Sequence, residues 1–111
     1  MGEHVELGLL LERYGALLTE RQRELLALCV DEDLSLGEIA AQAGISRQGV
    51  RDAIKRAEAQ LYAFEDSLGM EKLIRGLREK VRALAALPEI RPDGQAHALV
   101  CDIMEMIDNG V

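Results

Sequence analysis

Aromatic side chains are scarce in this sequence: there is no tryptophan, and Tyr14, Tyr62 and Phe64 are the complete set in 111 residues. A single-strand nucleic-acid binder that stacks successive bases on aromatic platforms is therefore excluded. Uninterrupted apolar runs are missing too, since none approaches the roughly 20 residues that a membrane-spanning helix needs. The opening Met1-Gly2-Glu3-His4 carries no basic secretory start. The expectation is a cytoplasmic chain without membrane insertion. Positive charge is outnumbered, with 13 basic against 20 acidic residues and a net charge of −7, which excludes a general nucleic-acid coat.

Cysteine is limited to Cys29 and Cys101, far apart and each in an apolar stretch. They read as small buried thiols in a reducing compartment, not as a disulfide. His4 and His97 read as isolated surface or packing residues, so neither metal nor cofactor is expected. No Ser/His/Asp or Cys/His set and no glycine-rich phosphate loop after a strand is present, so no catalytic residue is assigned and an enzyme is not expected.

What is present is helical periodicity. Apolar residues recur at steps of three and four almost throughout, and no stretch alternates long enough for a strand. The chain is expected to be all-α, with helices near 3–17, 20–31, 36–43 and 47–68 forming a helix-turn-helix domain over 1–69. An extension over 70–111 would carry helices near 70–87 and 94–108. In the first helix, Val5, Leu9, Leu10, Tyr14 and Leu17 are expected to share the inward side. Thr19 with Gln22, and Ser35 with Glu38, have capping-box spacing, and Ser46 is placed to cap a third helix. Pro92-Asp93-Gly94 marks a turn before the last helix.

The segment from Leu36 to Ile54 meets the needs of a helix-turn-helix. Ala40 and Ala43 allow close backbone approach, Gly44 tolerates the left-handed turn, and Ile39, Ile45, Val50 and Ile54 lock the pair. That leaves Arg47, Gln48, Arg51, Asp52 and Lys55 outward on the second helix, whose first half enters the major groove in such motifs. Arginine bridges the two acceptors of guanine and glutamine pairs with adenine. Ser46 and Arg56 would serve phosphates, Ser46 together with the helix N-terminus. Residues 1–34 are net −5, 35–64 net +1 and 65–111 net −3, and every positive residue of the middle segment lies between Arg47 and Arg56. A solvated helix face, or a docking surface for a protein, is the alternative reading of those cations, and the side-chain types favour groove contact over it.

A second basic cluster, Lys72, Arg75, Arg78, Lys80 and Arg82, reads first as the solvated side of an amphipathic helix and second as a patch for an acidic partner or RNA. The apolar stripes are Val50, Ile54, Ala57, Leu61, Phe64 and Leu68; then Met70, Ile74, Leu77, Val81 and Leu84; then Leu99, Val100, Ile103, Met104 and Ile107. An intramolecular core is the plainer reading of these stripes, but the part beyond Ala57 and the two C-terminal helices offer more apolar surface than a small domain leaves wet, which points to a two-fold homodimer.

The runs Tyr14-Gly15-Ala16-Leu17-Leu18-Thr19-Glu20-Arg21-Gln22-Arg23, Asp33-Leu34-Ser35-Leu36-Gly37-Glu38-Ile39-Ala40, Ser46-Arg47-Gln48-Gly49-Val50 and Ile54-Lys55-Arg56 resemble the bacterial YlxM family. The helix-turn-helix of that family is similar to region 4 of sigma-70-type factors. The match spans Leu10 to Gly69, with the last helices similar in pattern only. The resemblance implies an all-helical, dimeric, non-enzymatic cytoplasmic protein. It also implies a regulatory role in the signal recognition particle pathway, through duplex DNA, or as an adaptor on the particle GTPase or its RNA without reading DNA sequence. This chain departs from the family in having fewer aromatics around its first helices and in its acidity outside the proposed recognition helix. At this length a complete sigma factor is not expected.

Overall fold

The computed structural model describes residues 2–109, with side chains from His4 onward. Met1, which opens the non-basic start noted above, lies outside the described residues, as do Gly110 and Val111. Six α-helices and no strand occur among the described residues: α1 (Gly2–Tyr14), α2 (Glu20–Val30), α3 (Leu36–Ala43), α4 (Arg47–Leu68), α5 (Met70–Ala85) and α6 (Gln95–Asp108). The fold is all-α with a helix-turn-helix, as the periodicity predicts. It divides into two compact units, Met1–Glu71 and Lys72–Val111, so that the division falls inside α5.

Local chemistry sets the helix starts in the first unit. Thr19 Oγ1 accepts from the Gln22 N–H and the Gln22 carboxamide accepts from the Thr19 N–H, both at 3.1 Å. Ser35 and Glu38 exchange the same pair of bonds at 3.1 and 3.0 Å. The Ser35 N–H, and secondarily its hydroxyl, hold the Glu38 carboxyl below its ordinary pKa. Between α2 and α3, Asp33 takes a left-handed φ of 55°, a conformation that aspartate tolerates better than most residues.

The core of this unit is built by Leu10, Leu11, Tyr14, Leu18, Leu25, Leu26, Ile39, Ala40, Val50, Ile54, Ala57 and Leu61. That corrects the face expected for the first helix: Val5 is 65 % exposed and Leu17 58 %, and Leu9 is also exposed, while Leu7, Leu11 and Leu18 are buried. The α-helix ends at Tyr14 and tightens into a 3-10 turn over Gly15–Leu17, which rotates Leu18 inward and Leu17 outward. The long stripe of α4 is also shorter than expected, since burial stops at Leu61, Phe64 is half-buried and Leu68 is exposed.

Tyr14 ties the far end of α4 into this core. Its ring lies 6.0 Å from that of Phe64, tilted by 46°. Its hydroxyl donates to Glu65 Oε1 at 2.6 Å and accepts the Met70 N–H at 2.9 Å. Burial, and then the Glu65 contact, push its pKa upward. Beside it, Arg13 Nε meets Glu71 Oε2 at 3.2 Å, and Glu71 is the buried charged residue among those described.

In the second unit, Val81, Val100 and Ile107 are buried, with Ile74, Ala85 and Met104 packed against them. The Gly94 N–H donates to the Arg91 carbonyl at 2.9 Å, closing the Pro92-Asp93-Gly94 turn. Both thiols are free, but neither is buried as expected: Cys29 is half-buried and Cys101 exposed. Burial raises the Cys29 pKa, with the Glu58 and Asp33 carboxylates adding to it. His97 is not isolated either, because Cys101 stands one turn further along α6 with Sγ 3.6 Å from Nδ1. No group of three or more metal-ligating side chains forms among the described residues.

Candidate nucleic-acid interface

The corner between α3 and α4 is three residues long. Gly44 ends α3 at φ 72°, and its N–H donates to the Ala40 carbonyl at 2.9 Å, while the Ile45 N–H reaches the same oxygen at 3.3 Å. A Cβ at Gly44 would meet nothing within 4 Å, so the requirement for glycine there is conformational and not steric. Gly44→Ala is therefore expected to lower stability by about 1 kcal/mol, measured as a smaller urea midpoint with unchanged slope.

Ile39, Ala40, Val50 and Ile54 are buried across this corner. Ile45, expected among them, is instead 38 % exposed and lies over Gly49, its Cδ1 3.6 Å from where a Cβ there would stand. Sequence alone misses a further contact: Arg21 Nη2 donates to the Ala43 carbonyl at 3.3 Å, satisfying the open end of α3 from α2. The Thr19 cap gives the only signal for it, by placing Arg21 on the first turn of α2.

The six expected contact residues all lie at the start of α4, and all are exposed. Ser46 Oγ accepts the Gly49 N–H at 3.0 Å. Its own O–H remains available as a donor, and the Arg47 and Gln48 amides stand at the open helix end. Arg47 does not project straight outward. Its guanidinium folds back over α3, with Nη2, Nε and Cζ only 3.1 to 3.3 Å from the point that a Cβ on Gly37 would occupy. Arg47 and Arg51, with Ser35, Leu36, Gly37 and Gln48, line an open cleft of about 420 Å³. Two guanidinium-bearing side chains thus border the N-terminus of α3, whose dipole has the same sign as theirs.

Gln48 Nε2 donates to Asp52 Oδ1 at 2.9 Å, which orients the carboxamide and leaves its oxygen and second N–H free. The helical repeat sets Lys55 beside Gln48 and carries Arg56 round to the far edge from Arg47. No ion pair among the described residues engages Arg47, Arg51, Lys55 or Arg56. The structure therefore brings five of the residues, Ser46 to Lys55, onto one surface, with Arg56 at its margin.

The comparisons with known proteins agree with this architecture. A family model described as "Putative helix-turn-helix protein, YlxM / p13 like", UPF0122, matches residues 1–87. A UPF0122 protein of Acetivibrio thermocellus is 48 % identical over 91 residues, covering 82 % of this chain and 76 % of that one. One from Desulforamulus reducens is 50 % identical over 70 residues, covering 63 % and 60 %. A third, from Clostridium botulinum, is 40 % identical over 91 residues and covers 82 % of both chains. No solved structure matches. No helix among the described residues is long and apolar enough to cross a membrane. With a helix-turn-helix on the page and a family model matching more than three quarters of its length, this chain belongs to the UPF0122 family of YlxM / p13 like proteins.

Proposed function

We propose that this protein is a non-enzymatic, cytoplasmic regulator that binds duplex DNA through the start of α4, two copies presenting two such helices to one site. Gln48, Arg51 and Lys55 face the base edges. Arg47, drawn back over Gly37, serves with Ser46 and the N-terminus of α3 on one phosphate strand, and Arg56 serves on the other. The observation that carries this reading is the ion-pair-free cation run at the start of α4, in a chain that is acidic on either side of it. Duplex is attracted to that surface and repelled elsewhere, so affinity per protomer is modest and salt-sensitive. The connection to the signal recognition particle pathway follows from the family resemblance.

Selection of bound duplexes from a random pool, followed by titration of the recovered sequence in rising salt, tests the proposal. The expected outcome is an enriched two-fold motif, with log K falling against log salt at a slope of about −4 per protomer if all four cations meet phosphate, and about −2 if Arg51 and Lys55 read bases. Absence of enrichment and of any complex at low salt would overturn it. The second reading, an adaptor on the particle GTPase or its RNA, is favoured by the net charge of −7. Recovery of that GTPase from nuclease-treated lysate, with no duplex bound, is the result that selects it.

A further inference from the structure

We infer that the trench between α1 and α2 is a docking groove for a basic amphipathic helix of a second protein. Leucine-type side chains of that helix enter the trench while its flanking lysines or arginines meet the rim. The inference goes beyond the duplex reading and is independent of it, since it uses no residue of α4.

The trench is an open cleft of about 500 Å³ whose floor is Gly8 and Leu11 of α1 with Ala27 of α2. Gly8 keeps that floor low. It stands in the middle of α1, an interior helical position where glycine is unfavourable relative to alanine. A Cβ there would make one ordinary contact, with Val30 Cγ1 at 3.5 Å. The chain's own packing therefore does not call for glycine. What the bare position does is hold the trench open beside the half-buried Ala27 and the buried Leu11.

The rim selects the occupant by charge. Glu12, Glu24 and Asp31 stand there against one guanidinium, that of Arg23, and all four residues are exposed. No ion pair among the described residues engages any of them. Glu20, Glu24, Ala27 and Asp31 follow one another at steps of four, three and four, so an acidic row runs along the α2 wall. The Arg23 stem leans toward Gly15, its Cδ 3.7 Å from where a Cβ there would stand, so the cation sits at one end of that wall. Residues 1–34 as a whole are net −5. Phosphate strands and anionic lipid are repelled from such a rim, and a cationic partner is drawn to it.

Shape selects the class of partner. Sites for small molecules bury most of the ligand, whereas this trench is open along its length. By the helical rise, the wall from Arg23 to Asp31 is about 12 Å long, which takes two turns of a third helix with anchors at i, i+4 and i+7.

The test is fluorescence anisotropy of a labelled leucine–lysine peptide of about 18 residues, patterned as an amphipathic helix, titrated with the full chain. The wild type is expected to bind it with a Kd of about 10–100 μM. Gly8→Met fills the trench without changing charge and is expected to weaken binding about tenfold or more. Glu24→Lys/Asp31→Lys is expected to weaken it at least as much, and to improve binding of the matching leucine–glutamate peptide. Glu89→Lys/Glu105→Lys makes the same charge change on exposed residues of the other unit and is expected to shift the Kd by no more than about threefold at physiological salt. A wild type that binds no peptide, a Gly8→Met protein that binds undiminished, or a control exchange as damaging as the trench exchange overturns the inference. Should Gly8→Met lose its helical circular dichroism, the two charge exchanges decide the matter. If Gly8→Met instead halves the sedimenting mass of the chain in the absence of peptide, a second copy fills the trench and the inference falls.

Discussion

Arg47→Glu/Arg51→Glu is expected to lower affinity for the selected duplex by roughly a thousandfold, since two phosphate or guanine contacts become two repulsions. The fold should not suffer. Both side chains are exposed, and no described ion pair holds either. A carboxylate at position 47 sits on the first turn of α4 and faces the start of α3, where the dipoles favour negative charge by about 0.3–1 kcal/mol. The thermal midpoint is therefore expected to stay level or rise slightly while binding is lost. Arg47→Lys/Arg51→Lys supplies the contrast: the salt slope persists, and discrimination between the best site and its single-base variants narrows because lysine cannot bridge bidentately. Full binding by the glutamate pair would remove α4 from the interface altogether.

The second large effect concerns stability. Arg13→Met is expected to cost about 2–3 kcal/mol, because it strands the Glu71 carboxylate in a site where its side chain is 7 % exposed. For a domain of this size that is a fall in thermal midpoint of roughly 10–20 °C. Replacing both partners, as in Arg13→Met/Glu71→Met, should recover most of the loss, since an apolar pair in place of a buried ion pair is often neutral. If the single change is as mild as the double, the two side chains are solvated and the pair contributes little.

Much of this architecture is legible in the sequence because it is local. The two capping boxes and the Ser46 cap each lie within four residues, and Gly44 announces its own turn; all form as read. The first helix is harder, since apolar residues at 5, 7, 9, 10, 11, 14, 17 and 18 fit more than one face. Its packing against α2 and α4, with the 3-10 turn that follows, decides for Leu11 and Leu18. The contacts at the α4–α5 junction are illegible for another reason: Tyr14 with Glu65 and Arg13 with Glu71 are separated by 51 and 58 residues. The candidate site is divided in the same way. Helical spacing alone assembles Gln48, Arg51 and Lys55 on one face, whereas Arg47 rests against Gly37 of α3, about which the recognition helix carries no information.

That last dependence reaches beyond this molecule. A methyl group at position 37 would press on the Arg47 guanidinium, the far end of a flexible side chain, which would have to give by a few tenths of an ångström. Positions 37 and 47 are thus expected to be adjusted together across related sequences, a side chain at the first shifting where the guanidinium at the second rests. What such a protein grips can in this way be retuned from the neighbouring helix as well as from the recognition helix itself.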